Sequence, residues 1–291
     1  MNKYLFIINP IAGGGIAKGL ETEIENLMSK EKRNFEIVYT TKPKEAILIA
    51  ASREYEVVVA VGGDGTINEV ISGLIRQEKG ILGIIPAGTG NDLSRSLGIP
   101  LNSKEALELI LKGNTREISA GEANGHHFLN ISSVGFDVEV LTNIEMVRKR
   151  FKGKFSYVLA VIYTLFKFKK KDITLEIDGK IHKKNLLLLA IGNGKYYGGG
   201  MMVLPNADLF DDYLHLCLVK DISNLKALTI FPVIFKGNHL KFTKYVETYK
   251  AKAIKVTYKS SLLLNVDGEV IEEANEINFK LSNKKLQVIS Q

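Results

Sequence analysis

Val61-Gly62-Gly63-Asp64-Gly65-Thr66-Ile67-Asn68-Glu69-Val70 decides how the amino-terminal part of this chain is read. A β-branched apolar run, Val57–Val61, ends at the first glycine, and a helical pattern runs from Thr66 to about Gln77. A strand that enters a helix through a glycine turn gathers exposed N–H groups and a helix N-terminus at one point, which suits phosphate. The turn lacks the Gly-Lys-Ser/Thr ending of a Walker A loop and the GxGxxG spacing of dinucleotide dehydrogenases. Its peculiarity is one acid set among glycines. A bare Asp64 would be repelled by phosphates, so a bridging Mg²⁺ is the natural reconciliation. Thr66 and Glu69 also have capping-box spacing, which leaves helix closure and ligand contact both open.

The same alternation extends on either side. Tyr4–Ile8, Phe35–Tyr39, Val57–Val61 and Ile81–Ile85 read as buried strands. Helical patterns follow over Ile16–Ser29, Pro43–Arg53, Thr66–Gln77, Asp92–Leu97 and Lys104–Lys112. Continuous apolar strands alternating with helices imply a parallel sheet covered on both faces. Two more turns then fall at strand ends. Asn9-Pro10-Ile11-Ala12-Gly13-Gly14-Gly15 is either an ordinary connection or a second phosphate approach. In Ile85-Pro86-Ala87-Gly88-Thr89-Gly90-Asn91-Asp92-Leu93, Asn91 or Asp92 could serve simply as an N-cap.

After Ile118 the texture changes to short strand-like runs: His127–Ser132, Ile173–Ile177, Asn185–Ile191, Leu214–Val219, Ala253–Tyr258, Leu262–Val266, Ile277–Leu281 and Leu286–Ile289. Turn pairs such as Asp178-Gly179 and Ser282-Asn283 separate several of them, the pattern of an antiparallel β-sandwich. Helical insertions are expected near Phe155–Phe168 and Asn224–Phe235. The expected architecture is therefore α/β plus all-β: a parallel-sheet nucleotide-binding domain over 1–120 and a β-sandwich domain over 121–291.

The formal charge of +7, from 39 basic and 32 acidic residues, suits an anionic partner without choosing among nucleotide, nucleic acid and anionic lipid. No recognisable nucleic-acid module accompanies it, so nucleic acid is not expected. Hydrophobic residues make up 45% of the chain and charged residues 24%, ordinary for a folded protein. The single cysteine, Cys217, lies in an apolar run and reads as a buried strand thiol. No stretch approaches the ~20 apolar residues needed to span a bilayer. The start, Met1-Asn2-Lys3 before Tyr4–Ile8, is too short for a secretory h-region. A cytoplasmic protein that meets membranes only from the surface is expected.

Gly62-Gly63-Asp64-Gly65-Thr66, followed by Asn68-Glu69-Val70 and Gly73, resembles the signature of the diacylglycerol kinase catalytic domain. Pro86-Ala87-Gly88-Thr89-Gly90-Asn91-Asp92 resembles its partner motif. The resemblance, which reaches the wider sphingosine and ceramide kinase superfamily, covers nearly the whole chain. It implies ATP as co-substrate, bound by Gly62, Gly63, Asp64, Gly65, Thr66 and Asn68, with Asp64 a catalytic residue as well. Asn9, Pro10 and Gly13 of the first turn, Thr89, and Thr41 or Thr40 after the second strand are implied nearby. The Gly-Gly-Asp-Gly core is shared with NAD kinases and phosphofructokinases, so it fixes nucleotide chemistry better than acceptor.

Two later motifs extend the resemblance to the lipid kinases. In Leu262-Leu263-Leu264-Asn265-Val266-Asp267-Gly268-Glu269, the family's catalytic base corresponds to Glu269, with Asp267 supporting. Read by itself, Asp-Gly-Glu is equally a surface hairpin turn. Leu204-Pro205-Asn206-Ala207-Asp208-Leu209-Phe210-Asp211-Asp212-Tyr213 resembles a turn that can hold a structural Mg²⁺ through Asp208, Asp211 and the Tyr213 carbonyl. A charged β-turn is the alternative. Asp212 stands where the family usually has glycine, and Ser119 where it commonly has an acid.

A membrane-lipid kinase must reach a bilayer. Arg148-Lys149-Arg150-Phe151-Lys152-Gly153-Lys154 is basic, and Phe155, Val158, Leu159, Ile162, Leu165 and Phe166 follow at helical spacing. This is a peripheral membrane contact or a core-packed helix with solvated lysines. Phe231-Pro232-Val233-Ile234-Phe235 is a candidate lining of an acyl groove. The expected function is ATP-dependent phosphorylation of a membrane lipid, most simply diacylglycerol. An NAD-kinase-like enzyme with a soluble acceptor and a non-catalytic nucleotide-binding regulator are the alternatives. The sequence leaves a homodimer open.

Overall fold

The computed structural model describes residues 3–52, 54–150, 155–220, 222–273 and 275–291. Phe151, Lys152, Gly153 and Lys154 of the basic stretch, and Arg53 at the end of the second expected helix, lie outside the described residues. The chain divides into two compact units, Met1–Ala120 with Asn283–Gln291, and Gly121–Ser282.

In chain order unit 1 holds β1 (Lys3–Ile8), α1 (Glu21–Lys30), β2 (Asn34–Tyr39), α2 (Glu45–Ser52), β3 (Val57–Gly62), α3 (Asp64–Gln77), β4 (Ile81–Pro86), α4 (Asp92–Ser96) and α5 (Ser103–Lys112). The expected helix from Ile16 begins instead as a 3₁₀ segment, Ile16–Leu20, before α1. β1 pairs in parallel with β2 and with β3, and β3 with β4, giving the order β2-β1-β3-β4. Leu5–Ile8 and Val57–Val61 are buried throughout, because helices cover both faces. The chain moves outward from β1 to β2, then returns to the other side of β1 for β3. That reversal is a topological switch point, and the loops leaving the carboxyl ends of β1 and β3 flank it.

Unit 2 follows through β5 (Thr115–Ala123), which begins in unit 1. It comprises β6 (His126–Phe128), β7 (Ile131–Gly135), α6 (Phe136–Arg150), α7 (Phe155–Lys167), β8 (Lys171–Ile177), β9 (Lys180–Gly192), β10 (Tyr196–Tyr197), β11 (Met201–Met202), β12 (Leu214–Lys220), α8 (Asn224–Ile230), β13 (Val246–Ala251), β14 (Ala253–Thr257), β15 (Leu262–Val266), β16 (Glu269–Glu273) and the first half of β17 (Glu276–Ile289), which passes into unit 1 at Asn283. Pairing among β7, β8, β9, β12, β13, β14, β15 and β16 is antiparallel. Leu214, Leu216 and Leu218 of β12 enter one core, while Cys217 and Val219 enter a second beneath α6, α7 and α8. This period of two is what a strand buried on both faces requires. Burial pushes the Cys217 thiol up to about 12, so it is an inert core group.

Two expectations change, and one helix is additional to them. The run His127–Ser132 is broken at Leu129-Asn130 into β6 and β7. The turn expected at Ser282-Asn283 is absent: Ile277–Leu281 and Leu286–Ile289 form one continuous strand, β17, whose Gln287 and Val288 pair in parallel with Ile81 and Leu82 of β4. Helix α6 had no sequence expectation, although Phe136, Val140, Ile144 and Val147, all buried, have helical spacing.

Candidate active site

Three turns meet at the carboxyl ends of β1, β3 and β4. The first turn of α3 leaves the N–H groups of Asp64, Gly65 and Thr66 without intrahelical acceptors. Its N-cap, Gly63, provides no side-chain cap. The capping-box expectation is therefore replaced by two longer contacts. Thr66 Oγ1 accepts from Asn9 Nδ2 at 3.0 Å, tying the loop after β1 to α3 across the switch point. Glu69 accepts from the Lys44 and Ala46 N–H groups at 2.9 and 3.2 Å, closing the start of α2. Asn68 is half-buried beside them.

Pro10 opens the first turn, and Ile11 N–H donates to Asn9 Oδ1 at 3.3 Å. Gly13 has φ 61, and a Cβ there would collide with the Ala87 carbonyl, so the close approach of these loops requires glycine. Gly63 and Gly88 also touch: a Cβ on Gly63 would lie 3.1 Å from the Gly88 Cα. In the third turn Asn91 occupies the N-cap position of α4, but its side chain does not cap the helix. It turns back instead, accepting from Gly88 N–H at 2.9 Å and donating to the Gly88 carbonyl at 3.0 Å. Thr89 is left exposed at the tip.

Asp64 stands among these turns. Its Oδ1 accepts from Leu93 N–H at 3.2 Å. Among the described residues its other oxygen has no hydrogen-bond partner, so it remains available to a hard cation. Thr41, exposed after β2, donates its hydroxyl to Glu45 at 2.9 Å, and its N–H donates to the same carboxylate oxygen. Those bonds hold the Glu45 carboxyl below its ordinary range. Thr40 is buried, and Ser119 is buried in β5.

In unit 2, Asp267 and Gly268 form a two-residue hairpin turn between β15 and β16, with φ values of 47 and 97. The Asp267 carboxylate accepts the N–H groups of Leu129, Asn130 and Ile131 at 2.7, 3.0 and 2.9 Å. It is a clamp on the chain, as its supporting role implied. Glu269 follows at the exposed start of β16. It is the carboxylate of this turn left facing solvent.

At Asp208–Tyr213 the side chains are already engaged. Asp208 accepts from Phe210 N–H at 3.0 Å. Asp211 Oδ1 accepts from Tyr213 N–H at 3.0 Å, while Oδ2 lies 3.0 Å from His215 Nε2 and 2.9 Å from Lys250 Nζ. These hydrogen bonds hold the Asp211 carboxyl below its usual range against the opposing effect of burial. With an ammonium on the carboxylate, the donor set does not fit a Mg²⁺, and the turn holds its charge without an added ion.

Beneath α6, α7 and α8 lies an apolar cavity of about 70 Å³, lined by residues such as Val140, Val161, Leu165, Leu188, Leu228 and Phe231. Asp137, Tyr197 and His239 are its polar members. Burial pushes the Asp137 carboxyl up to about 6, although the Ser133 and Tyr197 hydroxyls both bond to it. His239 Nε2 donates to the Val203 carbonyl at 3.0 Å, and burial keeps the ring neutral by lowering its pKa. Of the run Phe231–Phe235, Phe231 and Ile234 line this cavity, while Asp137 had no place in the sequence reading. Its available signal was an acid just after an apolar strand and Gly135-Phe136, at the start of a helix.

The expected apolar stripe of α7 has two faces. Ala160, Val161, Thr164 and Leu165 are buried, whereas Leu159, Ile162 and Phe166 are exposed by 38%, 36% and 63%. Leu225 of α8 and Phe235 are exposed as well. No helix among the described residues is long and apolar enough to cross a membrane.

The diacylglycerol kinase catalytic domain family matches residues 3–123. The family described as the YegS C-terminal NAD kinase beta sandwich-like domain matches residues 130–290. A diacylglycerol kinase of Staphylococcus carnosus (strain TM300) is 30% identical over 282 residues, spanning 94% of this chain and 91% of the relative. One from Staphylococcus aureus (strain JH9) is 33% identical over 271 residues, spanning 90% and 84%. A crystal structure of a candidate diacylglycerol kinase from Bacillus anthracis str. Sterne aligns with TM-score 0.83 at 28% identity, covering 100% of this chain and 98% of that one. An NAD kinase from Archaeoglobus fulgidus, solved in complex with ATP, shares the fold alone, with TM-score 0.55 at 15% identity over 100% of this chain and 94% of that one. With both units matched and relatives aligned over most of their length, this chain belongs to the diacylglycerol kinase family of lipid kinases.

Proposed function

We propose that this chain transfers the γ-phosphoryl group of ATP to the free hydroxyl of a membrane lipid, with diacylglycerol as the acceptor. The observation that carries the reading is the convergence of three N–H-rich turns and one carboxylate at the switch point of the parallel sheet. Backbone N–H groups of Gly63–Thr66 and the Asn9–Gly13 turn would hold the phosphates, with Thr41 and Thr89 at the margin of the same sheet end. When bound, Mg²⁺ supplies neutralisation of the phosphate charge, and the second oxygen of Asp64 is the group on this chain that would hold it.

Glu269 is the base in this reading. A lipid hydroxyl is a poor nucleophile at neutral pH. The carboxylate accepts its proton as the hydroxyl oxygen bonds the γ-phosphorus and the bond to the β–γ bridging oxygen breaks, leaving phosphorylated lipid and ADP. Glu269 suits the role because Asp267 already carries the structural load of the turn.

The apolar lining beneath α6, α7 and α8 supports a lipid acceptor, since its wall has the chemistry that an acyl chain packs against. The cavity wall and the exposed apolar face are opposite sides of the same helix, α7, so the helix that would touch a bilayer also lines the chain site. Leu159, Ile162 and Phe166 would enter the interface, with Lys167, Lys169 and Lys170 attracting anionic headgroups by about 1 kcal/mol each.

Glu269→Gln tests the reading. Folding and nucleotide binding are expected to be unchanged while turnover falls at least ~10²-fold. A near-normal rate in that variant would remove the base from the scheme.

A further inference from the structure

Glu269 sits on an edge hairpin, since among the described pairings β16 bonds only to β15. An exposed side chain on a short edge strand is a poor platform for proton transfer, which needs placement to within about 0.5 Å. Something buried must hold the turn.

Asn265 is 1% exposed and stands directly across from Ser133 in the β15–β7 pair. Gly268 N–H donates to Asn265 Oδ1 at 2.7 Å. Asn265 Nδ2 donates to Ser133 Oγ at 2.9 Å. The Ser133 hydroxyl in turn donates to Asp137 Oδ2. Gly268 N–H can only donate, which fixes the orientation of the Asn265 amide and hence the direction of every later bond. Asn265 is anchored a second time, where Ser132 Oγ donates to its carbonyl at 2.6 Å. All members of the chain lie in unit 2.

Resting on the reading of Glu269 as the base, we infer that Ser133 and Asn265 are positioning residues for it. With Asp137 they form a one-way hydrogen-bond chain that fixes the Asp267-Gly268 turn and ties it to the wall of the apolar cavity. Hydrogen bonds pointing the same way polarise one another in a low-dielectric interior, so the chain stiffens as a unit. Asp137 is its terminal acceptor and also a cavity residue, on the first turn of α6. An acyl chain packed on that apolar wall therefore bears on the same turn of helix that anchors the base.

A merely structural role for these bonds predicts lost stability. A positioning role predicts that the loss of rate depends on Glu269. The test is a double-mutant cycle on lipid phosphorylation in mixed micelles, with Ser133→Ala in wild-type and Glu269→Gln backgrounds. Ser133→Ala is expected to lower kcat about tenfold in the wild-type background and less than about twofold in Glu269→Gln, with nucleotide affinity unchanged in both. Ser133→Cys, nearly the same size but a weaker donor, should fall between and keeps the cycle available if alanine does not fold. An equal loss in both backgrounds, or none in the wild-type background, overturns the inference while leaving the kinase reading intact. A Glu269→Gln variant of normal rate removes the base itself and overturns both.

Discussion

Replacing Asp137 by asparagine should make this protein more stable and less active. The carboxyl is pushed up from 3.8 to about 6 by burial, against the hydrogen bonds that favour its charge. Because its folded pKa is raised, the folded state binds this proton more tightly than the unfolded state. Stability contributed by the group is thus fully present below pH 3.8 and is lost as pH rises through about 6. At about 1.4 kcal/mol per pH unit, that rise sets an upper bound of about 3 kcal/mol on the cost of the buried charge at neutral pH. Asparagine can still accept the Ser133 hydroxyl but carries no charge to desolvate. Asp137→Asn should therefore unfold at higher temperature at pH 7.5, by roughly 2–10 °C for about 1–3 kcal/mol. The gap should narrow as the pH falls towards 4.5. Turnover should drop, since the hydrogen-bond chain loses its anionic end, a trade of activity against stability common at functional sites. Differential scanning calorimetry of both proteins across this pH range is the assay. A variant no more stable than wild type at pH 7.5, or a gap that does not close on acidification, would refute the reasoning.

Gly13→Ala should weaken nucleotide binding at least tenfold and cost about 1–2 kcal/mol of stability, because it meets both positive φ and the Ala87 carbonyl. Titration calorimetry with Mg·ATP checks the first and thermal unfolding the second. Since Lys250 neutralises Asp211, the unfolding temperature of the wild-type protein should be the same in EDTA and in millimolar Mg²⁺. Lys250→Met should create a Mg²⁺ dependence, whereas a wild-type transition several degrees lower in EDTA would place a metal ion at that turn. The pair Ile162→Ser and Phe166→Ser should cut binding to anionic vesicles at least tenfold, with activity on a short-chain soluble lipid unchanged. Equal losses on both substrates would mean that the face packs the fold instead of docking it.

What could be read in advance was whatever is local. The run Val57–Val61 into Gly62–Gly65 into a helix needs only neighbouring residues to specify it, and the three turns all lie at strand ends as their glycines implied. Side-chain wiring was not local. Thr66 and Glu69 have the spacing of a capping box, but the helix starts at Asp64, so both side chains were free to reach Asn9 and α2. Asn91 looks like a cap and instead closes its own loop, a difference of side-chain direction invisible in sequence. Asn265 and Ser133 are 132 positions apart and meet only because β7 and β15 pair. The parallel pairing of Gln287 and Val288 with β4 was hidden for a similar reason. A short apolar strand carries no mark of the sheet it will join.

The central claim is phosphoryl transfer to a lipid hydroxyl, and its most direct test is transfer of labelled γ-phosphate from Mg·ATP in mixed micelles. The acceptors would be diacylglycerol, other single-hydroxyl lipids and, as a soluble control, NAD. Labelled phosphatidic acid from diacylglycerol, abolished by Glu269→Gln, is the predicted result. Labelled NADP with no labelled lipid, or nucleotide binding with no labelled product from any acceptor, would contradict it.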